Sequence, residues 1–230
     1  MSIPIIDVII PAFNEEKSIV KVIEDIPKEV VRHIIVGDNG STDNTSSEAQ
    51  KTGATVVYQS LKGYGNACLA AMEYISNLPE HPDIIVFLDG DYSDYPDELP
   101  LLVRPIKDQN IDMVIGSRAI GERQEGSMMP QQIFGNWLAT TLIRLIYGYR
   151  FTDLGPFRAI KYKALVDMKM ADKTFGWTVE MQVKAAKMKL KTCEVPVNYR
   201  VRIGTSKVSG TVKGTFMAGY NILWTIFKLI

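Results

Sequence analysis

The stretch Ile84-Ile-Val-Phe-Leu-Asp-Gly-Asp91 decides the fold. Five apolar residues run without a break into two carboxylates separated by one glycine. A strand that is apolar on both faces belongs to a sheet covered on both sides. Carboxylates at its carboxyl end then face the crevice where such sheets bind ligands. The same pattern repeats outward from this stretch. Ile5–Ile10 is stopped by Pro11 and Asn14, Ile34–Val36 is stopped by Gly37-Asp-Asn-Gly40, and Thr55–Tyr58 and Asp112–Gly116 read as further strands. Between them lie amphipathic stretches. Ser18–Ile26 places Ile19, Val22, Ile23 and Ile26 on one helical face, and Thr42 or Asp43 opens a helix to about Lys51. Gly65–Leu78 reads as another helix, and Pro96 starts one that reaches about Lys107. The alternation predicts an α/β protein with a mostly parallel central sheet and helices on both faces.

Polar residues gather where these strands end. Asn14-Glu15 follows the first, Asp38-Asn39 the second, and Asp89 to Asp94 the fourth. Residues i and i+2 of an extended chain share a face, so Asp89 and Asp91 project together, and Gly90 is expected to admit a ligand close to the backbone. Two hard oxygen ligands with open positions suit Mg²⁺ or Mn²⁺ shared with phosphate oxygens.

After Arg118 the pattern changes. Gly121–Gly126 reads as a charged, glycine-flanked loop and a candidate mobile lid. Gln132–Tyr147 is a helix whose Phe134, Trp137, Leu138, Leu142, Leu145 and Ile146 are expected to face the core. Arg158–Ile160 and Thr192–Val201 read as strands, Trp177–Met188 as a helix, and Ser209–Ile230 as a terminal amphipathic helix. No repeat or linker interrupts the 230 residues, so one domain is expected: a nucleotide-binding half over 1–118, an acceptor half over 119–207 and the helix 208–230.

Charge bounds the function. Lys+Arg and Asp+Glu are 26 each, which speaks against a nucleic-acid partner. The halves differ: residues 1–115 hold 8 basic and 19 acidic side chains, and residues 116–230 hold 18 and 7. That split suits a cation site in one half and anion sites in the other. Cys68 and Cys193 form no zinc or disulfide pattern. No basic and apolar leader opens the chain, and its longest uncharged stretch, Gly126–Ile143, is too polar to span a bilayer. A cytoplasmic protein is expected, with peripheral contact at the inner face of a membrane left open. No Walker loop or nucleophile elbow is present, and His33 and His81 stand apart from any ligand cluster.

Seven segments together resemble the family-2 glycosyltransferases, which have the GT-A fold. They are Ile10-Pro-Ala-Phe-Asn-Glu15, Asp38-Asn-Gly-Ser-Thr-Asp43, Lys62-Gly-Tyr-Gly65, Leu88-Asp-Gly-Asp91, Gly116-Ser-Arg118, Asp153-Leu-Gly-Pro-Phe-Arg158 and Gly204-Thr-Ser-Lys207. Within the family the chain looks most like the polyprenyl-phosphate (dolichyl-phosphate) sugar synthases. The resemblance implies that Pro11, Ala12, Glu15 and Asp38 hold the base and ribose of a nucleoside-diphosphate sugar. Asp89 and Asp91 match the DxD motif that carries the metal, Mg²⁺ or Mn²⁺. Arg118 and Lys62 are placed to offset charge on the leaving diphosphate. Glu180 matches a later acid, the candidate base if the acceptor is a hydroxyl. Asp153, Arg158, Arg202 and Lys207 are assigned to the acceptor. Three departures stand out: Asn39 in place of a second acid, Ser93-Asp94 in place of Gln-His, and Val201 in place of an arginine.

The expected function is an inverting transfer of a hexose, with UDP-glucose favoured as donor and a polyprenyl phosphate as acceptor. A soluble hydroxyl acceptor with Glu180 as base is the alternative. A sugar nucleotidylyltransferase would want a glycine-rich basic loop after the first strand, which Ala12-Phe-Asn-Glu-Glu16 does not provide. A non-catalytic nucleotide-sugar-binding module would not need Asp38, Asp89, Asp91 and Glu180 together. The closing helix, with Phe216, Met217, Tyr220, Leu223, Trp224 and Phe227 at helical spacing, either packs on the sheet or docks on an anionic membrane.

Overall fold

The computed structural model describes residues 4–204 and 212–230, so Lys207 lies outside the described residues. Seven strands form one sheet in the order β3-β2-β1-β4-β6-β5-β7. They are β1 (Ile6–Ala12), β2 (His33–Asp38), β3 (Thr55–Tyr58), β4 (Ile84–Phe87), β5 (Met113–Ser117), β6 (Arg158–Lys161) and β7 (Thr192–Pro196). Parallel pairing joins β3, β2, β1 and β4, and also β5 and β7. β6 comes from the second half of the chain and runs antiparallel between β4 and β5. The sheet is mostly parallel, as expected.

Eight α-helices cover it among the described residues: α1 (Ile19–Glu24), α2 (Thr45–Lys51), α3 (Tyr64–Ser76), α4 (Leu99–Gln109), α5 (Pro130–Tyr147), α6 (Tyr162–Met168), α7 (Trp177–Lys187) and α8 (Val212–Lys228). A 3₁₀ turn at Pro96–Glu98 precedes α4, so Pro96 starts that turn and the α-helix begins at Leu99. Alternation along each strand sends Ile9, Ile35, Phe87 and Ile115 to one face. Val8, Ile10, Val36, Val86 and Val114 go to the other. α3, α5, α7 and α8 pack on the first face, and α1, α2 and α4 on the second. Both faces are buried, which is why the central strands read as unbroken apolar runs.

Two expectations are corrected here. The α5 stripe does not face the core as a whole: Leu142 and Ile146 pack against it, but Phe134, Trp137 and Leu145 are 61%, 59% and 75% exposed. Ala139, Thr140 and Ile143 form the buried side instead. Apolar residues lie on both sides of this helix, so periodicity alone cannot choose between them. The Gly121–Gly126 loop is not a free lid. Tyr199 donates its backbone N–H to Glu122 O at 2.9 Å, and Gln124 donates to Tyr199 O at 2.8 Å. A Cβ at Gly121 would lie 1.9 Å from Val197 O, so this loop packs backbone to backbone on the 197–201 segment.

Asp7 is a charge buried within the first strand. Asp7 on β1 is fully buried and receives a two-pronged contact from Arg32, Nε to Oδ1 at 3.0 Å and Nη2 to Oδ2 at 2.7 Å. Removing the guanidinium strands a carboxylate between strands. Arg32→Ala is expected to cost about 3 kcal/mol, the low end for a broken buried pair because Arg32 is partly solvated. Urea unfolding of both proteins measures it.

Candidate active site

The carboxyl ends of β1, β2 and β4 meet along one edge of the sheet. Register pairs Pro11 with Gly37 and Ala12 with Asp38, and Asn39 donates its N–H to Ala12 O at 2.8 Å. Asp38 is buried, with Oδ1 accepting from Ser41 N at 2.9 Å and Oδ2 from Ser46 Oγ. It therefore knots the 38–46 turn while each oxygen keeps a second lone pair. Glu15 is buried beside it, its N–H on Thr45 Oγ1 at 2.7 Å and its Oε2 receiving Ser18 Oγ at 3.2 Å. Lys62 is exposed and donates to Asn39 O at 3.0 Å and Gly40 O at 2.7 Å, with its ammonium 3.9 Å from the Phe13 ring centroid.

The acids after β4 form the centre. Asp89 accepts from Tyr64 Oη at 3.0 Å. Asp91 is buried and accepts from Ser93 N at 2.9 Å and Ser93 Oγ at 2.5 Å, while its Oδ2 meets Arg202 Nη2 at 2.5 Å. Asp94 joins them, with Oδ2 at 3.5 Å from Asp89 N. Burial and the Asp91 charge push Asp89 up to about 7. Burial, then the charges of Asp89 and Asp91, push Asp94 well above the carboxylate range. Asp94 Oδ1 is buried and has no hydrogen-bond partner. Crowded hard oxygens with an orphaned atom fit a divalent cation. Among the described residues no set of three His, Cys, Asp or Glu is arranged to hold a metal ion. Asp89 and Asp91 are the residues that would carry it, with phosphate oxygens and water completing the shell.

A strap over residues 198–203 closes this cluster. Arg200 N–H donates to Ser93 O and Ile203 N–H to Asp91 O, both at 2.9 Å. Arg200 stacks on Tyr92 and Tyr95, 3.3 and 4.2 Å from their centroids, and donates Nε to Tyr92 O at 2.7 Å. Tyr92 has φ 65°, a left-handed backbone that the strap clamps directly after Asp91. Arg202 thus reaches Asp91 and, at 3.7 Å, Glu15. Arg202, expected at the acceptor, lies against the carboxylates of Asp91 and Glu15. Lys207, assigned with it, falls outside the described residues.

Arg118 and Asp153 form a buried pair. Arg118 Nη2 lies 2.7 Å from Oδ1, and its Nε and backbone N lie 2.8 and 2.7 Å from Oδ2. Burial opposes both charges, yet the pairing holds Asp153 below and Arg118 well above their ordinary ranges. Asp153 also lines a neighbouring cavity, so it positions Arg118 at that wall. Arg158 is fully buried and donates to the carbonyls of Leu154, Gly155 and Thr178. Burial lowers its pKa to about 10, so it keeps its charge. Placing it on the acceptor is corrected: it ties the 153–158 turn to α7.

Glu180, the expected base for a hydroxyl acceptor, is held by groups of the chain itself. Its carboxylate accepts from Ala171 N at 3.0 Å and Asp172 N at 2.7 Å and pairs with Lys184 at 2.7 Å. These contacts fix the 171–174 loop, which sits on the backbone at the start of α3. A Cβ at Gly63 would lie 2.0 Å from Lys173 O, and one at Gly65 would lie 1.9 Å from Asp172 O. Gly63 also has φ 134°. That close fit places Tyr64 against Asp89, a contact no sequence spacing revealed. At Gly90 a Cβ would lie in ordinary contact, 3.5 Å, with Ile10, Ala12 and Ile19, so its Cα side packs on the β1 layer.

Residues 7–169 match Glycosyl transferase family 2. This chain is a glycosyltransferase of that family. It is 33% identical over 196 residues to glycosyltransferase AglJ of Haloferax volcanii, covering 85% of this chain and 63% of that protein. It thus spans less than two thirds of AglJ. It is 27% identical over 218 residues to undecaprenyl-phosphate mannosyltransferase of Micrococcus luteus, covering 90% of this chain and 88% of that one. The fold matches glucosyl-3-phosphoglycerate synthase from Mycobacterium tuberculosis, crystallised with Mn²⁺, UDP and phosphoglyceric acid, at TM-score 0.78 and 23% identity. The match covers 98% of this chain and 78% of that one. The GT-A architecture expected from the sequence is therefore established.

Two variants probe the site. Asp91→Asn is expected to remove the gain in nucleoside-diphosphate affinity that Mn²⁺ gives, without unfolding; calorimetric titration with and without Mn²⁺ reads it. Asp38→Ala is expected to weaken nucleoside-diphosphate binding without metal by about 1.5–3 kcal/mol, a charge-assisted hydrogen bond. The same titration, in chelator, checks this.

Proposed function

We propose that the chain transfers a hexose, glucose in the first instance, from UDP to the phosphate of a polyprenyl phosphate with inversion at the anomeric carbon. The observation that carries this reading is the state of Glu180. A hydroxyl acceptor needs a base to take its proton. Glu180, the residue expected in that role, is spent on two amides and Lys184. Asp89, Asp91 and Asp94 are gathered as the cation site. An ionised phosphate monoester needs no base, so the residues present suffice for it.

The acceptor half of this reading is supported by the undecaprenyl-phosphate mannosyltransferase relative, and the donor half by the fold neighbour crystallised with Mn²⁺ and UDP, which was crystallised with phosphoglyceric acid besides. In the reaction, a phosphate oxygen of the acceptor forms the new bond to the anomeric carbon. The bond from that carbon to the donor's diphosphate oxygen breaks, and the electron pair leaves with UDP. A bound divalent cation supplies charge to offset that departing diphosphate. Pro11, Ala12, Glu15 and Asp38 frame the base and ribose at the ends of β1 and β2. Asp89 and Asp91 hold the cation, and Tyr64 fixes the orientation of Asp89. Lys62, Arg118 and Arg202 add fixed positive charge around the leaving group, where preorganised charge is most effective.

Two measurements test it. Radiolabelled hexose from UDP-glucose is expected to pass to a polyprenyl monophosphate in the presence of Mn²⁺, and failure with that acceptor alongside transfer to a soluble alcohol would overturn the reading. Glu180→Gln is expected to lower the melting temperature but to change the turnover of folded protein by less than about tenfold. Loss of a general base would cost on the order of 10²–10⁴.

A further inference from the structure

Four residues were assigned to the acceptor, and the structure turns three of them to other work: Asp153 to Arg118, Arg158 to backbone carbonyls, Arg202 to Asp91. A cavity of about 380 Å³ lies beside α5 and is open to solvent. One stripe of α5, with Ile133, Trp137, Thr140 and Arg144 at helical spacing, forms one wall. Arg123 comes from the loop before α5 and Arg150 from the segment after it. Among the described residues no carboxylate lies within ion-pair distance of Arg123, Arg144 or Arg150, and the Arg123 guanidinium meets Met128 Sδ at 3.6 Å. The one carboxylate lining the cavity, Asp153, is already paired with Arg118, so three guanidiniums without ion-pair partners share the cavity and suit an anion with several oxygens.

The same cavity is half apolar. Ile133 and Trp137 line it and are themselves exposed, and Phe134 beside them is exposed as well. α8 packs on α5, where Tyr147 Oη donates to Ile226 O at 2.6 Å, and it carries further exposed apolar residues. Tyr220, Trp224 and Phe227 stand outward from α8, with the Tyr220 and Trp224 rings stacked 6.4 Å apart. Aromatic rings and cations on one surface are the makeup of an interfacial site. Among the described residues no helix is long and apolar enough to cross a bilayer. Two further lining residues, Ala119 and Asp153, are the chain neighbour and the ion-pair partner of Arg118. The cavity therefore adjoins the arginine whose field reaches Asp89 and Asp94.

We propose that this cavity is the seat of a lipid phosphate monoester. Arg123, Arg144 and Arg150 hold the phosphate, Ile133 and Trp137 contact the first units of the chain, and the exposed faces of α5 and α8 rest on the lipid surface. The proposal deepens the acceptor reading given above and rests on it for the direction of transfer, but not for binding.

Farnesyl monophosphate is the binding probe, with glycerol 3-phosphate and farnesol as its two halves. The parent protein is expected to bind the whole probe more tightly than either half. Arg144→Gln and Arg150→Gln are each expected to weaken it roughly tenfold or more, the worth of one charge-assisted contact. Affinity for UDP with Mn²⁺ should not move, which controls for folding and for the donor site. Trp137→Ala should weaken farnesyl monophosphate and leave glycerol 3-phosphate unchanged. Equal affinity of the parent for glycerol 3-phosphate and farnesyl monophosphate would overturn the lipid assignment, and unchanged binding in both arginine variants would overturn the site. Transfer to polyprenyl phosphate in anionic vesicles separates the two readings. Transfer by the parent with an unchanged KM for the lipid in the arginine variants sinks the cavity and spares the reaction. Arginine-dependent binding of the probe without any transfer sinks the reaction and spares the cavity.

Discussion

Three carboxylates crowd the end of β4, and most of the site follows from the need to tolerate them. Asp91 and Asp94 are buried and Asp89 lies partly so, within reach of each other's charge. Burial and the neighbouring carboxylates both favour protonation of Asp89 and Asp94. The fold answers with cations drawn from distant parts of the chain. Arg202 arrives on the strap, Arg118 is fixed by Asp153, and Arg158 sits fully buried with its charge turned partly toward Asp89. Even so, Asp94 keeps an oxygen with no partner. Three arginines gathered around these carboxylates leave one acid oxygen unpartnered, and a divalent cation bound between Asp89 and Asp91, as proposed above, would offset the remaining crowding.

The antiparallel strand β6 explains how those arginines arrive. β1 to β5 come from the acidic half of the chain, and a purely sequential sheet would leave the basic half outside. β6 enters between β4 and β5, and Arg158 at its first position is paired in register with Phe87 at the last position of β4. β7 then joins the far edge beside β5, and the chain beyond it returns across the crevice as the strap. The basic half is thus threaded through and over the acidic one, so the two opposite balances meet at a single edge of the sheet.

The central strands and the Asp89-Gly90-Asp91 turn were legible because they depend on local pattern: unbroken apolar runs, breakers and acids at strand ends. The helices around them were placed within a few residues for the same reason. What was not legible depends on tertiary partners. Arg158 and Glu180 read as site residues because acids and bases in motifs usually are, but their hydrogen bonds go to backbone groups whose positions no spacing announces. The Tyr64–Asp89 contact depends on two glycines that accept the 172–173 backbone at close range. The α5 stripe failed in a different way. With apolar residues around most of its circumference, the side facing the sheet is chosen by the smaller Ala139 and Thr140, and the larger Phe134 and Trp137 are left outside.

That inversion on α5 has an energetic side. Leaving an aromatic side chain in water forgoes roughly 1.5–3 kcal/mol of burial, and α5 and α8 expose several. A chain selected only for stability would exchange such residues for polar ones at little structural cost. Their place on two adjoining helices, next to a cavity edged by arginines, fits the lipid-facing surface proposed above. The charge split supports the same conclusion from the opposite direction. The proposed transfer between a diphosphate and a phosphate would bring two anions close together, and residues 1–115 carry only 8 basic side chains against 19 acidic ones. Arginines in the basic half can offset the second anion, provided they are not consumed by internal carboxylates. Arg123, Arg144 and Arg150 meet that condition among the described residues, whereas Arg118, Arg200 and Arg202 do not. The division of labour follows: one set of arginines balances the protein's own acids, and a second set stays available for a charge that comes from outside.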